Sequence, residues 1–264
     1  MGFFRDVSKE VVTGLVGTFL GFLGKIGFDF ILKNQRDRLI LRLLGFPKGK
    51  VLIIHSALFD ETRDSYNYPS CDMISARRIA NLLESVSKKE GIDFTIIPEA
   101  NYLTPQGFVN PEVLKYNLIL LGGPKRNKVT GEVLENSAKM RYEMSQDATG
   151  QNHIYDSITK HSLISSRDKL ETVDNSIEIK RFDDEGAGYD YGLIMSMPNP
   201  LHRDRGVLLV AGIHGPGTVG AATYLSSKKN LSELARTRKG GVIQEVIYVK
   251  YDLETENVIE VSMI

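Results

Sequence analysis

The sequence has little of what disulfide-stapled, metal-bound or nucleic-acid-binding proteins need. It contains one cysteine, Cys71, so no disulfide can form within the chain, and this usage suits a reducing compartment. No cluster of cysteine and histidine has the spacing of zinc ligands, so we expect no metal. Lysine and arginine number 33, as do aspartate and glutamate, and this balance leaves no overall positive field for direct nucleic-acid binding.

The motifs of several enzyme classes are missing as well. No segment matches the phosphate-binding motif GxxxxGK[ST], which disfavours a nucleoside triphosphatase. No arrangement of serine, histidine and aspartate, or of cysteine and histidine, indicates a nucleophilic active site. We therefore lean against an enzyme and expect no cofactor.

After residue 50 the sequence alternates strand and helix patterns. Apolar, β-branched runs predict strands in "KVLIIHSAL", "DFTIIPEA", "YNLILLGGPKRN" and "YDYGLIMSMPNP", and "CDMISARRIANLLESVSKKEG" and "TGEVLENSAKMRYEMS" predict helices. "RGVLLVAGIHGPGTVGAATYLSS" repeats the order of strand, glycine turn and helix, and the last 25 residues predict two strands around "ETEN". For residues 50–264 we predict an α/β fold with a Rossmann-like open, mostly parallel sheet and an antiparallel C-terminal hairpin, preceded by an N-terminal hydrophobic helix.

The region between residues 142 and 192 has weaker patterns. "QDATGQNHIYDS" is polar and predicts a loop, whereas "NSIEIKRF" alternates and fits an edge strand.

The segment of residues 1–34 is apolar and rich in glycine, and three interpretations compete for it. A signal peptide fits poorly, because charged residues follow where a small-residue cleavage site should be. A helix that is apolar on all sides is either buried in a soluble core or surrounded by lipid. The run from Val11 to Leu32 is long enough to cross a bilayer, and we favour membrane contact.

Four glycines are the sharper evidence for a membrane segment. They are spaced by three, four and three residues, so they share one narrow stripe of a helix: Gly14, Gly17, Gly21 and Gly24. In water each glycine destabilises a helix by about 0.5–1 kcal/mol relative to alanine. In lipid, small residues allow close helix packing, so the stripe predicts self-association and a homo-oligomer.

A basic, amphipathic connector, residues 35–49, follows this segment. The positive charges of the flank predict contact with anionic lipid, the candidates being Lys33, Arg36, Arg38 and Arg42. An excess of lysine and arginine marks the cytoplasmic side of a membrane helix. We therefore expect the protein at the cell membrane, with its α/β domain in the cytoplasm. The alternative is that Leu39, Ile40, Leu43 and Leu44 pack this helix on the following domain.

Two glycine-rich loops at the ends of predicted strands are candidate ligand sites. The first contains Gly122, Gly123, Lys125, Arg126 and Asn127, and the second contains Gly212, His214, Gly215, Gly217 and Thr218. Ligands of open α/β sheets bind at this edge, where backbone N–H groups and helix N-termini attract anions. The alternative is that the glycines serve only the tight strand-to-helix turns.

Carboxylates near the first two strands are further candidates. A cluster after the first strand contains Asp60, Glu61, Asp64 and Asp72, and such carboxylates have the chemistry to hold a ribose, a metal or a base. Asp72 falls near a helix start, and the alternative for it is a helix cap. Glu99 follows the second strand and is a weak candidate for a glycosidic-bond catalyst, because no second partner has a convincing spacing.

The short runs "HSALFDETRDS", "LLGGPKRN", "MPNP" and "AGIHGPGTVGAA" resemble the Rossmann-like domains of prokaryotic conflict systems. The layout of hydrophobic segment, basic flank and α/β domain is similar to membrane effectors associated with short Argonaute proteins. That resemblance implies an antiviral defence effector that a protein partner activates and that then damages the cell membrane, in the manner of a toxin. No catalytic set of that family maps onto this sequence residue by residue.

Three hypotheses follow. The first is a membrane effector whose α/β domain senses a partner or ligand and controls insertion or clustering of the N-terminal helix. The second is a nucleotide-processing enzyme, similar to an NAD glycohydrolase. The third is a sensor without catalysis that binds a phosphate-bearing ligand at the membrane.

Cell fractionation tests the membrane assignment. We expect the full chain to pellet with membranes and a chain without residues 1–34 to stay in the supernatant, because the truncation removes the apolar run. Retention after a high-salt wash distinguishes insertion from electrostatic attachment, which salt screens. Pelleting of the truncated chain to the same extent would contradict this role of the segment.

Overall fold

The computed structural model describes residues 25, 37–40, 43–46, 49–60, 65–146, 150–167 and 186–264. The chain divides into two units, Met1–Leu39 and Ile40–Ile264. The proposed helix-association residues Gly14, Gly17, Gly21 and Gly24 lie outside the described residues, as do the lipid-binding candidates Lys33, Arg36 and Arg42. In the first unit Lys25 and Arg38 are described, and both are helical and exposed. Within the described residues, no helix combines the length and apolarity that a bilayer crossing requires.

The second unit is built on one seven-stranded sheet, which confirms the predicted α/β fold. Its strands lie in the order β12-β11-β9-β10-β5-β1-β4. Their bounds are β1 Gly49–His55, β4 Ile92–Pro98, β5 Asn117–Leu121, β9 Ala187–Pro198, β10 Gly206–Gly212, β11 Ile243–Asp252 and β12 Val258–Met263. The strands β4, β1, β5 and β10 are parallel. The antiparallel part begins at β9, one strand earlier than the predicted C-terminal hairpin of β11 and β12.

In the part of this unit that the structure describes after residue 48, four α-helices and two small sheets accompany the large sheet. The helices are α1 Ser70–Glu90, α2 Lys128–Glu135, α3 Gly215–Leu225 and α4 Lys228–Arg236. One small sheet pairs β2 Leu58–Asp60 with β3 Ser65–Asn67, and the other joins β6 Tyr142–Gln146, β7 Asn152–Asp156 and β8 Ser162–Leu163. The 3₁₀ helices Glu99–Tyr102 and Pro111–Lys115 follow β4 and precede β5.

The central strands are buried on both faces of the sheet. Leu52 and Ile54 of β1 belong to a core that includes Val129 and Val133 of α2. Their neighbours Val51 and Ile53 are also buried but do not belong to this core, because successive side chains of a strand point to opposite faces. Helices α1 and α3 contact each other and the sheet, and neither contributes to the α2 core.

The predictions for residues 142–146 and 152–156 were wrong, because both segments are strands. The sequence patterns indicate a helix for the first and a loop for the second, but β6 and β7 pair in antiparallel register. The guanidinium of Arg141 donates two hydrogen bonds to the Asp156 carboxylate, at 2.9 and 3.3 Å. Gln244 Nε2 donates to Tyr142 O at 2.6 Å. These contacts span distances along the chain that no local pattern reveals. The run "NSIEIKRF" lies outside the described residues.

Three apolar side chains of the basic connector, all within the second unit, belong to the core of that unit. Ile40, Leu43 and Leu44 are buried, and Ser196 Oγ donates a hydrogen bond to Leu43 O at 2.6 Å. The connector therefore matches, from Ile40 onward, the alternative in which its apolar face packs on protein.

Two glycine-to-alanine substitutions test how closely α3 and α2 pack. In β9, a Cβ on Gly192 would lie 2.5 Å from Gly217 O and 2.8 Å from Ala221 Cβ, so Gly192→Ala should lower the free energy of unfolding by about 1–3 kcal/mol. A Cβ on Gly131 would lie 3.7 Å from Pro124 O, an ordinary contact, so Gly131→Ala in α2 should raise it by about 0.5–1 kcal/mol. Urea unfolding measures both, and equal effects would contradict this packing.

Candidate ligand-binding cleft

A cleft opens where the sheet reverses the direction in which it adds strands. The chain places β4 on one side of β1 and then β5 on the other, and ligands of α/β proteins bind at such a switch point. The cleft measures about 450 Å³, within the range of small-molecule sites. Loops after β1, β5 and β10 line it together with the beginning of α1 and the hairpin of β6 and β7.

A buried carboxylate fixes the second glycine loop. Asp190 is fully buried near the start of β9. Its Oδ2 accepts hydrogen bonds from the N–H groups of His214, at 3.1 Å, and Gly217, at 2.7 Å. Its Oδ1 accepts from Tyr191 N at 2.8 Å. Burial raises the pKa of Asp190, while the nearby His214 and these hydrogen bonds oppose that rise.

The glycines of this loop provide space for the turn. A Cβ on Gly212 would lie 2.2 Å from Thr218 N, and a Cβ on Gly217 would lie 2.4 Å from Tyr191 O. Gly212, His214, Gly215 and Thr218 line the cleft, as the sequence predicts for a ligand site, but Gly217 does not. The N–H groups of His214 and Gly217 donate hydrogen bonds to Asp190, so an internal carboxylate occupies the position at which the sequence predicts an external anion.

The first glycine loop brings positive charge to the cleft. Gly122 has a φ of +87°, a left-handed conformation that favours glycine, and a Cβ there would lie 2.7 Å from Ser56 Oγ. Gly122, Gly123, Lys125 and Arg126 all line the cleft. Lys125 and Arg126 are exposed, and neither forms an ion pair with another residue that the structure describes.

Asn127, also predicted to bind ligand, has a structural role instead. It is fully buried and does not line the cleft. Its Nδ2 donates to Leu121 O at 2.9 Å and to Ile54 O at 3.3 Å, and its Oδ1 accepts from Thr130 N at 3.1 Å. Asn127 therefore caps α2 and joins the ends of β1 and β5.

Glu99 lies outside the cleft lining and also joins backbone segments. It is 3% exposed. Its Oε1 accepts from Ala57 N at 3.3 Å, and its Oε2 accepts from Lys128 N at 2.5 Å. Burial raises the pKa of Glu99, and these two hydrogen bonds oppose the rise. Both carboxylate oxygens are thus engaged in holding the loop after β1 and the start of α2.

At the beginning of α1, Asp72 and Cys71 line the cleft. Asp72 is 4% exposed, and its Oδ2 accepts from Ser56 N at 3.3 Å. Cys71 Sγ donates to Asp72 Oδ1 at 3.7 Å. Burial and the negative charge of Asp72 raise the pKa of Cys71 to about 11, so the thiol is a poor nucleophile at neutral pH.

A further part of the cleft lining comes from residues that the sequence patterns do not reveal. In the β6–β7 hairpin, Ser145 Oγ and His153 Nε2 are hydrogen-bonded at 2.7 Å, and Gln146 Nε2 donates to Asn152 Oδ1 at 2.9 Å. An ion pair between Arg167 and Glu256 also lines the cleft. These hairpin residues come together only because β6 pairs with β7. The prediction of a helix over residues 142–146 therefore gave no indication that they line the cleft.

Alkylation of the single cysteine tests the electrostatics of the cleft. With its pKa raised from 9.0 to about 11, Cys71 in the folded chain should react with iodoacetamide at pH 8 roughly 100-fold more slowly than in the unfolded chain. Asp72→Asn should accelerate the reaction, because it removes a neighbouring negative charge. Since folding raises this pKa, the stability contributed by the protonated thiol is complete below pH 9 and is lost as the pH rises through 11. Equal rates for folded and unfolded chains would contradict this environment.

Comparison with protein-family models finds none that matches the chain, and comparison with curated proteins finds no relative.

Proposed function

We propose that the protein is a membrane-associated sensor and effector whose Rossmann-like domain binds a phosphate-bearing small molecule in the cleft. Binding of this ligand, or of an activating protein partner, controls membrane insertion or clustering of the N-terminal segment. The observation that carries the proposal is the position of Lys125 and Arg126. Two exposed cations without an ion-pair partner among the described residues border a cleft at the switch point of the sheet.

These cations fit a phosphate better than a neutral ligand. Arginine binds phosphate through paired N–H donors, and lysine adds a compact positive charge. The guanidinium of Arg126 lies near the thiol of Cys71, and Cys71 is at the beginning of α1.

The chemistry around the cleft supports binding more than turnover. Both oxygens of Glu99 accept backbone hydrogen bonds, Asp190 is fully buried, and the thiol of Cys71 is held protonated by its raised pKa. The hydrogen-bonded pair of Ser145 and His153 keeps a nucleotide-processing activity as the second candidate, because a nucleophile and a base in contact are the minimum for covalent catalysis.

The membrane part of the proposal comes from the sequence. The glycine stripe supports a homo-oligomer, and the basic flank supports contact with anionic lipid at the cytoplasmic side of the cell membrane. The resemblance to effectors associated with short Argonaute proteins supports a role in antiviral defence. In this scheme the sensor domain remains in the cytoplasm and restrains the N-terminal segment until it is activated.

Isothermal titration calorimetry of the detergent-solubilised chain tests the sensor. The probes are AMP, ADP-ribose, NAD and inositol phosphates. We expect at least one to bind, and we expect the double variant Lys125→Ala/Arg126→Ala to weaken its binding by at least about tenfold, because each charged hydrogen bond contributes about 1.5–3 kcal/mol.

A matched charge control separates site binding from the overall field. Lys229 and Arg203 are exposed and do not line the cleft, so Lys229→Ala/Arg203→Ala removes the same charge and should leave the affinity unchanged. Equal loss in both variants would argue against a site at the cleft. Chromatography of the same mixtures detects turnover, and product formation that Ser145→Ala abolishes would favour the enzyme over the sensor.

A further inference from the structure

Asp72 occupies a position where an acidic residue usually caps its own helix, yet it does not. It lies in the first turn of α1, whose N-terminus has no side-chain cap hydrogen bond. Its carboxylate accepts hydrogen bonds from the N–H of Ser56 at 3.3 Å and from the weakly donating thiol of Cys71 at 3.7 Å. A carboxylate offers about four acceptor positions, so Asp72 retains acceptor capacity while lining the cleft.

Ser56 supplies an independent observation at the same place. Its side chain is fully buried, and its Oγ has no hydrogen-bond partner among the residues that the structure describes. Ser56 lines the cleft beside Asp72, and both lie against Gly122, whose added Cβ would be 2.7 Å from Ser56 Oγ and 3.3 Å from Asp72 Oδ2. Buried hydroxyl groups are otherwise nearly always paired, so this one points to a partner that the protein alone does not provide.

We propose that Asp72 and Ser56 form a subsite for the ribose hydroxyl groups of a nucleotide, in the same cleft as the phosphate-binding Lys125 and Arg126. This inference rests on the proposed function, which it deepens by naming the ligand as a ribonucleotide. The carboxylate accepts hydrogen bonds from ribose hydroxyl groups, and the Ser56 hydroxyl donates to or accepts from one of them.

The two kinds of side chain then give the ligand one orientation. Asp72 repels a phosphate and requires hydrogen-bond donors, whereas Lys125 and Arg126 attract a phosphate and cannot accept a hydrogen bond. A nucleotide carries both chemistries a few bonds apart. Inorganic phosphate satisfies only Lys125 and Arg126, and an uncharged nucleoside satisfies only Asp72.

The test compares ribonucleotides with their 2′,3′-dideoxy counterparts. AMP, GMP, CMP and UMP are titrated into the full chain by calorimetry, each beside its dideoxy form, both without and with EDTA. We expect the ribonucleotides to bind about 10–100-fold more tightly, because losing hydrogen bonds to a charged group has this effect. Asp72→Asn should abolish the difference, and the exposed control Asp93→Asn should preserve it.

Ser56→Ala provides a readout that a purely structural residue would not give. Removing an unpartnered buried hydroxyl should raise the Tm of the free chain by a few degrees, while it weakens ribonucleotide binding by about 3–10-fold. A lowered Tm with unchanged affinity would overturn the assignment of Ser56 to the subsite.

The outcomes separate the two proposals. If ribonucleotides and dideoxynucleotides bind equally, and Lys125→Ala/Arg126→Ala weakens both, the phosphate site stands and the ribose subsite is overturned. Binding by none of the eight nucleotides would overturn the subsite, and with the failure of the wider panel of probes it would overturn the sensor as well. Preference for ribose that disappears only when EDTA is added would indicate a bridging divalent cation and would also overturn the subsite.

Discussion

The geometry of the cleft depends on one buried carboxylate, that of Asp190. Because β9 runs antiparallel to β10, its first residues reach the edge at which the parallel strands end. There the Asp190 carboxylate accepts hydrogen bonds from three backbone N–H groups, those of Tyr191, His214 and Gly217. A buried charge is tolerated only when it is paired or hydrogen-bonded, so this carboxylate and the start of α3 stabilise each other. The turn after β10 is thereby fixed before any ligand arrives.

The buried central strands of the fold were predictable from sequence, whereas the long-range polar contacts that stabilise the rest of the fold were not. The segments that form β1, β5 and β10 are apolar on both faces, because helices or loops cover both sides of the sheet. This composition can be recognised within each short segment of the sequence. The β6–β7 hairpin depends instead on Arg141 with Asp156 and on Gln244, which are distant in sequence. Asp190 stands 24 residues before His214, and only the antiparallel direction of β9 makes it a cap.

The candidate site shows the same division. The glycine loops were expected at the carboxyl ends of strands, and the structure places them there. Their glycines, however, mainly allow close backbone approach, as at Gly212, and Asp190 takes the helix N-terminus that was predicted to hold an anion. The cleft residues that can still bind a ligand's polar groups are Lys125, Arg126, Asp72 and Ser56. Only burial and hydrogen bonding identify Asp72 and Ser56, and neither property can be seen in a sequence.

The cap formed by Asn127 has a thermodynamic consequence. This residue follows Arg126 directly, and its three hydrogen bonds tie its own position to Ile54, Leu121 and Thr130. The main chain beside Lys125 and Arg126 is therefore already ordered. Binding of an anion would restrict little more than the side-chain rotamers of these two residues. Binding of an anion by such a preorganised loop would lose less conformational entropy than binding by a mobile one, so more of the interaction free energy would remain as affinity.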